Sequence, residues 1–139
     1  MIPKLSEVMK FAVCAKTQTV AASGSATIAN SFDAAGCEWV GLMISMGVTD
    51  VITTVQVKES TDGATAAANI TFATSSLAIS ATGDDTTYWI LIDAKQAKRI
   101  LSATITTGAG TSAIFSAHWF GLGGQFNPQT SISPSLTIA

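Results

Sequence analysis

VITTVQVKESTDG, residues 51–63, sets the reading of the whole chain. Val51, Thr53, Val55 and Val57 alternate with Ile52, Thr54, Gln56 and Lys58. Successive side chains of a strand point to opposite faces, so strict period-two alternation of β-branched residues predicts a half-buried strand. The charged pair Lys58-Glu59 then runs into Ser60-Thr-Asp-Gly63. Asp62-Gly63 favours a tight hairpin turn, because Gly takes positive φ without a Cβ clash and Asp tolerates it. Strand followed by turn is local structure, and it recurs along the chain.

From Thr17 onward the pattern is β throughout. Residues 18–22, 26–32, 38–46, 51–59, 70–73, 77–80, 87–93, 100–106 and 112–120 are predicted strands. Turn signals separate them at Ala22-Ser-Gly24, Ala35-Gly36, Asp62-Gly63, Gly83-Asp-Asp85 and Gly108-Ala-Gly110. Strands at this spacing, with no sustained helical pattern between them, predict an all-β fold. The expected architecture is a single-domain antiparallel β-sandwich, jelly-roll-like, over residues 17–121. Residues 95–99 are too short for a helix and are expected to turn a corner. In the strand at 38–46, Val40, Leu42, Ile44 and Met46 share one face while Trp39 and Met43 share the other. A strand apolar on both faces is expected to be central and covered twice. The expected core is Val40, Leu42, Ile44, Val55, Val57, Ile90, Ile92, Ile105, Phe115 and Trp119.

The two ends read differently. Leu5, Val8, Met9 and Ala12 recur at helical spacing after Pro3, which predicts a short helix or an arm over residues 1–16. Past Gly121-Leu-Gly-Gly124 the chain turns to Gly, Gln, Asn, Ser, Thr and Pro, with isolated Phe126, Ile132, Leu136 and Ile138. Such an extended arm, residues 122–139, suits docking along a neighbouring surface. Leu5, Val8, Met9, Phe126, Ile132, Leu136 and Ile138 are therefore the expected partner contacts.

Composition narrows the function classes. The 139 residues carry seven Lys plus Arg and nine Asp plus Glu, a net charge of −2. That bias is too weak to draw nucleic acid or a membrane surface. Charged residues make up only 12% of the chain, about half the share of an ordinary soluble domain. Ser and Thr, roughly a quarter of the residues, supply the polarity instead. A surface so poor in charge points to partial cover by other subunits. No run of about 18 apolar residues crosses a membrane as a helix. The first ten residues lack the basic start and apolar core of a secretory signal, so the protein is expected to stay in the cytoplasm where it is made. Cys14 and Cys37 have no metal-site spacing and are expected to be thiols there.

Few residues could carry chemistry. His118 is the only histidine and sits mid-strand between Ala117 and Trp119, the setting of a packed side chain rather than a general base. No serine lies in a Gly-x-Ser-x-Gly context. Asp84-Asp85 has no further ligands at calcium-loop spacing. Gly121-Leu-Gly-Gly124 follows a strand but opens no helix, so it is no phosphate loop. Lys95, Lys98 and Arg99 form the one basic cluster, read as corner charges or an intersubunit ion pair. Trp39, Trp89 and Trp119 would suit a sugar platform, but each lies in an apolar strand and is expected to pack in the core. No catalytic, cofactor or metal residue is expected, and no enzymatic activity.

Three stretches carry a resemblance: VQVKESTDGAT (residues 55–65), SATGDDTTYWILID (80–93) and KRILSATITTGAGTSAIFSAHWFG (98–121). With QTVAASGSATIANSFDAAGCEWVGLMISMG (18–47) upstream, they resemble a group of small tailed-bacteriophage and prophage virion proteins. In that group a strand ending in Gln-Glu-Ser-x-Asp-Gly precedes a variable hairpin, and a Gly-rich turn leads to a closing Ser-Ala strand. The resemblance implies a jelly-roll capsid decoration, or cement, protein with no catalytic residues. It implies a homotrimer on the capsid surface that bridges major capsid protein subunits. Neck or tail placement, or a carbohydrate-binding sandwich, are the alternatives.

Overall fold

Among the described residues the hydrogen-bonding pattern gives ten strands in two sheets. The computed structural model describes residues 9–21, 23–27, 31–49, 53–63, 67–71, 76–109 and 112–123, with side chains omitted over 9–18 and 26–27. The strands are β1 (Met9–Val20), β2 (Ser25–Thr27), β3 (Phe32–Asp33), β4 (Trp39–Thr49), β5 (Thr53–Ser60), β6 (Ala68–Asn69), β7 (Ser76–Ile79), β8 (Thr87–Asp93), β9 (Ile100–Thr107) and β10 (Ala113–Leu122). One sheet has the order β1-β10-β4-β8. In the other, β5 and β9 pair along their full length at the centre. Short strands split both of its edges: β2 and β3 lie along β9, and β6 and β7 lie along β5. Every pairing is antiparallel, and the all-β jelly-roll-like sandwich expected from the alternation is the fold observed.

The core forms where the two inner faces meet. Val40, Leu42 and Ile44 of β4 and Phe115, Ala117 and Trp119 of β10 come from one sheet. Val55 and Val57 of β5 and Leu101, Ala103 and Ile105 of β9 come from the other. Phe32 of β3 stacks on Trp119 across the gap, with ring centroids 6.1 Å apart and planes at 26°. Of the expected core, only Ile90 is short of full burial, packing at the edge.

Thr53, Val55 and Val57 are buried, and Glu59 follows them in parity, facing inward at the end of the strand. Its carboxylate Oε2 accepts the Lys98 N–H at 2.8 Å. Ser60 Oγ accepts the Gly63 N–H at 2.8 Å, and Gly63 takes φ of +75°. The charge that closes the strand ties it to the 94–99 corner.

Three expectations are corrected. Met9 and Ala12 belong to β1, an extended strand paired with β10 from Met9↔Leu122 to Val20↔Ala113. A helix there would have two turns at most, too few to form alone, and sheet pairing overrides its periodicity. The stretch expected as one strand at 26–32 gives β2 and β3, separately paired to β9. Finally, β4 is central but not covered twice, because Trp39 is 49% exposed.

Candidate interaction face

The four-stranded sheet has an outer face whose side chains follow from its register. Opposite residues of an antiparallel pair share a face. Rows across β10, β4 and β8 therefore read Leu122–Trp39–Asp93, Phe120–Gly41–Leu91, His118–Met43–Trp89 and Ser116–Ser45–Thr87. One row is wholly apolar, a second is apolar but for His118 at its end, and polar groups lie at both ends of the face, Asp93 in one end row and the Ser116–Ser45–Thr87 row at the other.

Gly41 makes the middle of this face possible. A Cβ at that position would run into the Phe120 ring, which lies across the strand there. Phe120 is consequently buried although it points outward, and Trp89 meets it edge-on with centroids 5.3 Å apart and planes at 71°. Edge-to-face geometry sets the positive ring edge against the negative π face. Trp89 and Leu91 remain 58% and 59% exposed. Val48, also exposed, lies where the β4–β10 register shifts.

The polar ends are held locally. Asp93 Oδ1 accepts the Lys95 N–H and Oδ2 accepts the Gln96 amide, both at 2.9 Å. The Gln96 bond first, and the Lys95 N–H second, hold the Asp93 carboxyl below its ordinary range. At the opposite end the Ser45 and Thr87 hydroxyls are 3.3 Å apart. Between them, His118 is half-buried, and its Nδ1 has no hydrogen-bond partner among the described residues. A buried ring nitrogen left unsatisfied is costly.

The remaining residues singled out from the sequence have structural surroundings. Trp119 packs in the core as expected, whereas Trp39 and Trp89 do not: the sheet's alternation turns them outward. The signal was their parity, opposite to Val40, Ile90 and Ile92. Asp84 Oδ1 accepts the Thr49 N–H at 2.6 Å. Arg99 forks onto Asp33 at 3.0 and 2.7 Å, and Lys95 lies 3.9 Å from Glu38, so these corner cations pair within the chain. Among the described residues no three His, Cys, Asp or Glu side chains gather in a metal-binding arrangement. Cys37 is half-buried, its sulfur against Gly121. Of the expected partner contacts, Met9 lies in β1 with its side chain outside the described residues. Leu5, Val8, Phe126, Ile132, Leu136 and Ile138 also lie outside them.

No family model and no curated protein sequence matches the chain. Solved structures do. The PBSX exported protein XepA aligns with all of this chain at a TM-score of 0.60 and 13% identity, over 45% of its own length. The infectious bursal disease virus VP2 subviral particle aligns at 0.52 and 10% identity, covering 84% of this chain and 32% of VP2. A protein of the disulfide-linked pili that form Bacillus endospore appendages aligns at 0.50 and 9% identity, covering 85% of this chain and 91% of the other. The chain thus spans under half of XepA and about a third of the VP2 chain. At such identities the likeness is one of fold: an antiparallel β-sandwich common to an exported protein, a virus particle and a pilus.

Proposed function

We propose that this chain is a bacteriophage virion structural protein, a capsid decoration protein that binds the shell and bridges neighbouring major capsid subunits. One observation carries the reading: Trp39, Trp89 and Leu91 stand about half exposed on the outer face of the four-stranded sheet. Aromatic anchors with a polar rim are the anatomy of a protein interface. The sequence resemblance over residues 18–121 supplies the virion context. The VP2 particle supplies a precedent for a sandwich of this fold in a virus assembly. The mechanism is mechanical, because binding energy adds to the barrier against shell rupture. An interface of about 1,600 Å² supports affinities from micromolar to picomolar. A homotrimer would multiply it through avidity. The chain has no catalytic role in this reading.

A carbohydrate-binding role is the second reading, favoured by the two exposed tryptophans on one face. The deciding experiment follows the tagged chain through gradient separation of phage particles, with wild type beside Trp89→Ala. Co-sedimentation with heads that the substitution weakens supports decoration. Sedimentation with tails alone, or absence from particles together with retention on a glycan column, overturns it.

A further inference from the structure

Among the described residues β8 has a strand neighbour on one side only, β4. Met46 N–H donates to the Thr86 carbonyl at 2.9 Å, and Ala94 N–H donates to the Glu38 carbonyl at 3.0 Å. Between these bonds the register runs from Ser45↔Thr87 to Trp39↔Asp93 without a shift. Residues two apart direct their backbone groups the same way. Even positions from 86 to 94 therefore face β4, while Thr87, Trp89, Leu91 and Asp93 turn their backbone groups to the other side. Natural sheets protect such edges with charge, proline or cover. Thr87-Tyr-Trp-Ile-Leu91 has neither charge nor proline. On the inner face Tyr88 and Ile90 are only partly buried.

Charge lies instead at the two ends of the strand, with opposite signs. Asp84 and Asp85 precede it, and Lys95 and Lys98 follow it, all four exposed. Only one of the Asp84 oxygens is given to the Thr49 N–H, and Lys95 reaches Glu38 no closer than 3.9 Å. Antiparallel pairing of one β8 with another sets the acidic end of each beside the basic end of the other. We propose that β8 is a docking edge for β8 of a second copy of this chain, the two joined antiparallel about a two-fold axis.

The register follows from parity and charge. The strand Thr87–Asp93 is centred on Ile90. An axis at Ile90 sets Trp89 opposite Leu91 of the second copy and Thr87 opposite Asp93 of the second copy. Trp89 and Leu91 then exchange N–H···O=C bonds in both directions, and the Asp93 N–H reaches the Thr87 carbonyl. The Asp93 carbonyl keeps its place in its own turn, accepting the Gln96 and Ala97 N–H groups at 3.2 and 3.3 Å. On the inner face Ile90 lies opposite Ile90 of the second copy, and Tyr88 opposite Ile92, which covers the partly buried side chains. At each end Asp85 comes beside Lys95 of the other copy. Moving the axis to Trp89 would bring Asp85 beside Asp93 instead, like charge against like. The axis is perpendicular to the sheet, so the apolar outer faces of both copies point the same way and join. The inference rests on this edge and is independent of the decoration role and its trimer.

Sedimentation equilibrium and amide hydrogen exchange on the full chain test it. A dimer that dissociates on dilution is expected, with the Trp89 and Leu91 amides protected in the dimer and exchanging freely in the monomer. Leu91→Pro removes an N–H aimed at the second copy while leaving the β4 ladder its bonds. It should weaken association at least about hundredfold, with the Val55 and Ile105 amides still protected. Lys95→Gln and Asp85→Asn should each weaken association about two- to tenfold, and the double variant no more than either, since both remove the same pair. A monomer at every concentration overturns the proposal. So does an oligomer indifferent to Leu91→Pro, or protection of Trp89 and Leu91 in a monomer, which would mean that the chain covers its own edge. If Leu91→Pro also strips protection from Val55 and Ile105, the charge variants decide: additive losses, or none, overturn the pairing.

Discussion

On its inner face β4 sets Val40, Leu42 and Ile44 beyond the reach of solvent; on its outer face it leaves Trp39 about half in water. Both faces are apolar, so hydrophobicity does not separate them. Side-chain size and partner do. Inside, medium-sized branched residues interdigitate with Val55, Val57 and Ile105 of the second sheet, which the chain itself supplies. Outside, a glycine and large aromatics make a shallow surface with Phe120 laid across Gly41 and Trp89 against its edge. A core closes on itself, whereas the exposed tryptophans, with Asp93 at one end of their face and the Ser116–Ser45–Thr87 row at the other, form the surface on which the proposed interface rests.

Substitutions on the two faces should differ accordingly. The largest loss is expected inside: Ile44→Ala, at a fully buried site, should cost ~2–5 kcal/mol in denaturant unfolding through lost burial and a cavity. A cost within the ~0.5 kcal/mol range of surface changes would dissolve the distinction between the faces. Next comes Gly41→Ala, which drives a methyl into the Phe120 ring and should cost about 1–3 kcal/mol by overpacking. Combined with Phe120→Ala the glycine substitution should become nearly silent, and additive costs would show that the ring does not lie over Gly41.

Outermost, Trp39→Ala should change stability by no more than about 0.5 kcal/mol. Trp89→Ala should cost somewhat more, since its edge contact with Phe120 is worth ~0.5–1.5 kcal/mol. Both should weaken association with particles far more than they weaken the fold. Stability loss with unimpaired association would place the partner surface elsewhere.

Much of this contrast could be read from residue order. Alternation in 53–60 and 87–93 gave strands and faces, because a sheet half in solvent imposes period two on its sequence. The tryptophans were harder. Trp39 has the parity opposite to Val40 and Trp89 the parity opposite to Ile90, but whether an apolar outer face is covered depends on other chain segments or molecules. Composition is blind to that. Met9 and Ala12 misled for a different reason: helical spacing shared with Leu5 and Val8 in the sequence carries little weight against a β10 strand that needs a partner. The Glu59–Lys98 bond joins residues 39 apart, and no local pattern announces it.

The smallest effect concerns the rim of the outer face, where Asp93 shares a row with Trp39. Gln96 and the Lys95 N–H bond its ionised form, so the folded carboxyl lies below the ordinary value of 3.8. The folded state then takes up this proton less readily than the unfolded chain. Its contribution is complete above the unfolded value and is lost as pH falls through the lower folded one. Asp93 is exposed, so solvent screening keeps the effect slight. Asp93→Asn should lower the melting temperature slightly at neutral pH, and the gap to wild type should close only below 3.8. Because no core group takes part, Ile44→Ala should shift both curves without changing how the gap closes. A gap that persists into acid would mean that the carboxylate's charge has no part in holding the 93–96 turn, and that the rim is fixed by backbone geometry alone.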